Sequence, residues 1–143
     1  MAGESFSAQV DEWVRESKEL LLAVARQSAS DLVNQAQVPE GKGGKMRVDT
    51  GFLRASGSSS LSGMPYGPSK RESDVPGSYP SEADYSKTGK VAVDLANLAF
   101  GDTFYFGWTA EYARVRETYD GFVASAVQNW QQIVDANVRK AKR

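Results

Sequence analysis

The sequence predicts an α+β fold. Three observations lead there. Apolar residues recur at helical spacing near both ends of the chain, an alternating pattern lies between residues 90 and 108, and 143 residues suit one domain, 1–143, and not two ordinary ones.

The first element is a long amphipathic helix over about 5–36. Phe6, Val10, Trp13, Val14, Leu20, Leu21, Val24, Ala25 and Leu32 fall at spacings of three, four and seven, on one broad face. Such a stripe must be buried against a sheet, another helix or a neighbouring subunit, and a core-facing helix is the reading preferred over a specialised role. Pro39 and Gly41-Lys42-Gly43-Gly44 end the helix. Asp49 to Ala55 reads as a short turn of helix, with Asp49 or Thr50 supplying the capping oxygen. Serines crowd the next stretch, Ser56 to Ser62, which fits a linker or an edge strand equally well. A polar loop follows over about 63–90, punctuated by Pro65, Pro68, Pro76 and Pro80, with too little apolar content to order itself by burial.

Val91, Val93 and Leu95 then alternate with Ala92, Asp94 and Ala96, the pattern of a half-buried strand. Gly101-Asp102 supplies a turn, and Phe104, Phe106 and Trp108 the returning strand, so an antiparallel hairpin is expected, its aromatic face on a helix. From Gly121 to Arg143 a second amphipathic helix is expected, with Asp120 at its N-cap. Its stripe is Phe122, Val123, Ala126, Val127, Trp130, Ile133, Val134 and Val138. Trp108 and Trp130 are assigned to the core. Arg139, Lys140, Lys142 and Arg143 suit the negative end of that helix and leave a contact with DNA as the alternative.

Composition narrows the chemistry. The chain holds no histidine and no cysteine, which removes the commonest general base, the commonest metal ligand and the thiolate nucleophile together. A net charge of −1 does not suit a protein whose main task is gripping phosphates. Met1 to Asp11 lacks the basic start and apolar run of a secretory signal, and Leu20 to Ala25 is too short an apolar run to span a bilayer, so a cytoplasmic site of synthesis and no membrane partner are expected. Glu40 to Met46 invites comparison with a phosphate-binding loop, but Lys45 is followed by Met46 and no buried strand precedes it. A hydrolase or nucleotide-dependent factor using Lys42 and Lys45 is therefore disfavoured. No convincing carboxylate pair stands out, Glu111 and Glu117 flanking a segment that reads as strand-like or turn, and there is no Ser-x-x-Lys motif. No enzyme activity, cofactor or metal is expected.

Two blocks carry a resemblance. One is Gly44-Lys45-Met46-Arg47-Val48-Asp49-Thr50-Gly51-Phe52-Leu53-Arg54-Ala55-Ser56; the other is Trp108-Thr109-Ala110-Glu111-Tyr112-Ala113-Arg114, followed by Glu117 and the 122–134 stripe. In order and spacing they resemble the neck, or tail-completion, proteins of tailed bacteriophages and related prophages. Arg47 stands where many members carry proline, and Glu117 is followed by Thr118-Tyr119-Asp120-Gly121 where many carry an earlier glycine. The resemblance implies a small, mostly antiparallel sheet with two long helices packed on it. It implies a homo-oligomeric ring, expected to be a hexamer, between the capsid connector or stopper and the tail tube or tail terminator, with genomic DNA passing through unbound, in the virion.

Under that reading the 63–90 loop and Ser56–Ser62 are expected to meet neighbouring subunits or rings. The interface candidates are Asp49, Thr50, Arg54, Ser58, Ser60, Tyr66, Tyr79, Tyr112 and Glu117. For Asp49, Thr50, Arg54, Tyr112 and Glu117 a local structural role, such as capping or a salt link, stands beside the interface role.

Overall fold

The computed structural model describes residues 5–48, 51–65, 75 and 90–142. Helix α1 spans Phe6–Ala36. It starts where Ser5 leaves the helical region and its Oγ accepts from the Ala8 amide at 3.1 Å. It stops at Gln37 because Pro39 has no N–H and disfavours helical backbone at Val38. A 3₁₀ turn over Glu40–Lys42 opens a loop that brings Met46 back alongside Pro39 in a parallel bridge. A second short helix, α2, is Phe52–Ala55, and strand β1 is Gly57–Ser60. Helix α3 (Lys90–Asn97), strand β2 (Tyr105–Trp108) and helices α4 (Ala113–Asp120), α5 (Phe122–Gln128) and α6 (Trp130–Ala141) complete the order. The class is α+β, with long helical segments at both ends and a two-stranded antiparallel sheet between them.

The sheet differs from the expected hairpin. β2 pairs with β1, Gly57 opposite Trp108 and Ser60 opposite Tyr105, so the serine stretch is an edge strand. Residues 90–97 are helical. Val91, Asp94, Leu95 and Leu98 turn inward while Val93 is exposed, a period of three to four residues and not two. A Lys90–Asp94 ion pair at 3.1 Å spans one helical turn and reinforces it. The Gly101-Asp102 turn follows a helix: Gly101 has φ 97°, and Asp102 Oδ2 accepts from the Ala99 amide at 2.9 Å.

Three further expectations are corrected. The segment between Glu111 and Glu117, read as strand-like or turn, lies mostly in α4, which starts at Ala113. The C-terminal helix is interrupted at Asn129, and its first half begins at Gly121 (φ 64°), not at a capping Asp120. Gly51, at φ 90°, holds the N-cap position of α2, where Asp49 or Thr50 was expected; both of those lie outside the described residues.

The core sits where α2, β2 and α5 meet. Met46, Phe52, Leu53, Ala110 and Phe122 are buried together, with Trp108, Tyr112, Ala113 and Val123 packed around them. Trp108 meets Phe106 and Phe122 edge-on at 4.9 and 5.0 Å, so it does belong with the core. Its Nε1 donates to Oε1 of Gln37, a side chain 1% exposed at the end of α1. Further along, Asn137 on α6 donates to Ser28 Oγ and Asp31 Oδ2 on α1 at 3.1 and 2.9 Å. The α5–α6 pair therefore runs antiparallel to α1, over the C-terminal half of α1.

Candidate interaction surface

The sequence candidates fall into three groups. Asp49, Thr50, Tyr66 and Tyr79, with most of the 63–90 loop, lie outside the described residues. Arg54 is on α2 and only 6% exposed. Glu117 is turned inward: its two carboxylate oxygens accept from the amides of Val123 and Ala124 at 2.8 and 3.0 Å. Gly121 has no side chain to cap α5, and Glu117 performs that task from the helix before it.

Ser58, Ser60 and Tyr112 line open clefts. Tyr112 closes one side of a cleft of about 470 Å³ whose basic groups are Arg47, Arg54 and Arg116, and its ring lies 6.2 Å from that of Phe52. Arg116 is committed to Asp120 through two hydrogen bonds of 2.9 and 2.6 Å, and that guanidinium holds the Asp120 carboxyl below its ordinary value. Ser58 and Ser60 border the second cleft beside Lys90. Between them Ser59 is buried. Its hydroxyl donates to Asp94 Oδ2 and its carbonyl accepts from Lys90 Nζ at 2.7 Å. The Ser59 hydroxyl, ahead of the Lys90 ammonium, holds the Asp94 carboxyl below its ordinary value. These contacts tie α3 to the outer strand.

The loop that invited a nucleotide comparison uses its own amides. Glu40 N–H donates to Met46 O, Met46 N–H to Val38 O, and the Lys42 and Gly44 N–H groups both donate to Pro39 O. A phosphate cradle needs such amides aimed at the ligand. Among the described residues no cluster of three acidic side chains stands ready to hold a metal ion, and no helix is long and apolar enough to cross a membrane.

No family model, curated protein or solved structure matches this chain. The surface itself must therefore indicate what the chain does. Its most distinctive feature is the first half of α1. No residue of this helix before Val24 is buried. Phe6, Val10, Trp13, Ser17, Leu20 and Val24 follow one another at spacings of four, three, four, three and four, the seam of a helix that packs on another helix. Val24 and Ser28 on that face are buried beside α6, yet Phe6 is 81% exposed and Trp13 67%. Of the stripe expected to face the core, only Val24 is buried; Val14 and Leu32 are half-buried, and Phe6, Val10, Trp13, Leu20, Leu21 and Ala25 are exposed.

Sequence spacing did show this seam. It could not show where α6 ends, and so which part of the seam is left uncovered. A second apolar strip, Val127, Trp130, Val134 and Val138, lies along α5–α6; Val127 is 53% exposed and Trp130 40%. Trp130, assigned to the core from sequence, is a surface residue of the chain.

Proposed function

We propose that this chain is a structural subunit of a tailed-phage neck, forming a homo-oligomeric ring between the capsid connector or stopper and the tail tube or tail terminator. The observation that carries the proposal is the uncovered seam on α1. Folded monomers rarely leave large aromatic and branched side chains exposed along one continuous face, and such a face ordinarily marks a contact with another protein. The two resembling blocks name the kind of assembly. The near-neutral charge suits a ring through which DNA passes without being held, since each lysine or arginine contact with phosphate would add counterion-release affinity.

In this reading the chain is not an enzyme. The ring is a hexamer, its home is the virion, and it needs no cofactor. The Ser58 and Ser60 edge and the Tyr112 cleft are the candidate contact sites among the described residues.

The deciding experiment is native mass, measured on the protein alone and mixed with its tail-tube and connector proteins. A hexamer, or a monomer that becomes one on a partner ring, supports the proposal. A strict monomer that ignores both partners overturns it. Steep salt-dependent binding of the isolated protein to duplex DNA would instead favour a DNA-contacting role for the basic end of α6.

A further inference from the structure

The exposed half of α1 needs an occupant, and the chain carries a surface that fits it. We infer that the arm formed by residues 6–21 of one copy lies along the outer face of α5–α6 of a second copy, head to tail. This rests on the homo-oligomeric part of the reading above and assigns its contact surface.

Three observations support the assignment. The first is continuity. The face of α1 that carries Phe6, Trp13 and Leu20 is the same face that buries Val24 and Ser28 beside α6 of its own chain. Beyond that point it still presents the spacing that accepts a helix, with none opposite it among the described residues.

The second is length. Sixteen arm residues span roughly 24 Å; α6 spans roughly 18 Å, and α5 adds roughly 10 Å on the other side of the break at Asn129. Val127 and Trp130, one on each side of that break, are exposed, and the half-buried Val134 and Val138 continue their strip along α6 at steps of four residues.

The third is charge. The arm carries Asp11, Glu12, Glu16 and Glu19 against Arg15 and Lys18, whereas the last turns of α6 carry Arg139, Lys140 and Lys142. Such complementarity favours the acidic arm of one copy meeting the basic helix end of another. A head-to-tail contact uses two different patches of each chain. Repeated with closure, that geometry makes a ring, whereas a self-complementary patch stops at a dimer.

The test is a mixing experiment with full-length chains, read by sedimentation velocity over a concentration series. Trp13→Glu disables the arm, and Val127→Glu disables the outer face. Both positions are exposed, so each variant should keep the wild-type circular dichroism. Wild type is expected to self-associate. Each variant alone should associate at least about tenfold more weakly, as loss of a central anchor does. An equimolar mixture of the two should give a 1:1 heterodimer, because it retains one intact arm and one intact face.

A Glu12→Lys, Glu16→Lys double variant is expected to weaken association without adding bulk to the apolar row. Wild-type assembly by the Trp13→Glu chain would overturn the inference and leave the ring reading standing. So would homodimers of the Val127→Glu chain at wild-type affinity, which would mean that arms pair with arms. A wild-type chain that stays monomeric alone also overturns it. The neck reading then depends on the partner-ring measurement.

Discussion

The Glu117 carboxylate and the Val123 amide sit 2.8 Å apart, joining the end of α4 to the first turn of α5. The other carboxylate oxygen accepts from Ala124 at 3.0 Å, so one side chain satisfies two of the amides that helix geometry leaves open. A negative group at this end also suits the helix dipole. Glu117→Ala is expected to destabilise the chain by about 1–2 kcal/mol, the usual effect of losing a cap. Glu117→Gln should lose less, since it retains one acceptor. Urea unfolding at neutral pH would check both. An unchanged midpoint for Glu117→Ala would show that the contact adds nothing.

Asn137 makes a comparable prediction between α1 and α6. Its side-chain amide donates to both Ser28 and Asp31, and Ser28 is fully buried. Replacing Asn137 with Leu removes the donor but leaves the acceptors in place. The expected loss is about 1–3 kcal/mol, the range for stranding a buried polar group. A double-mutant cycle with Ser28→Ala would separate that bond from the packing change. Equal losses with and without the Ser28 hydroxyl would mean that the two side chains are not coupled.

How far the fold could be read from the sequence depended on which pattern each segment carries. The ends of α1 were legible because Ser5 and Pro39 are chemical start and stop signals. Strand β2 was legible from its alternating aromatics. Residues 90–97 were not, because Val91 and Leu95 are two steps apart in an alternating row and also one turn apart on a helix. Only the inward face of Asp94 and the exposure of Val93 separate the two. The partner of β2 was hidden for a different reason: β1 is three serines and a glycine, with no apolar side chain to signal pairing. Of the site candidates, Glu117 drew attention through its motif, but its capping role depends on a glycine four residues later. The uncovered arm was visible as a stripe and invisible as a surface, since exposure depends on where α6 stops.

Two carboxylates are held below their ordinary values, Asp94 by Ser59 and then Lys90, and Asp120 by Arg116. A lowered folded-state value means that the contribution is fully present above the unfolded value of 3.8 and is lost as pH falls through the folded one. Stability should therefore be flat with respect to these groups near neutrality and decline below about pH 4. Arg116→Gln releases Asp120. Its deficit relative to wild type should be full at pH 7 and shrink as pH falls below 3.8. Thermal unfolding of both chains from pH 7 to pH 2 would show this. A gap that stays constant over the whole range would mean that the Asp120 charge is not what Arg116 stabilises.

The glycines of the 41–44 loop separate a structural turn from a ligand-binding one. A Cβ placed on Gly44 would lie 1.9 Å from the Val38 carbonyl oxygen, a backbone atom that cannot swing aside. The same carbonyl accepts from Met46 N–H at 3.3 Å, and Met46 is fully buried, so relief of the clash would disturb the bond that closes the loop on the core. A Cβ on Gly41 meets nothing within 4 Å. Gly44→Ala is therefore expected to lose roughly 1–3 kcal/mol, the range for forced overpacking. Gly41→Ala should be neutral or gain up to about 1 kcal/mol by restricting the unfolded chain. Equilibrium unfolding of the two variants side by side tests this directly. If both were equally stable, the close approach of Gly44 to Val38 would not be what shapes the turn, and the loop would be free to take other conformations around a ligand.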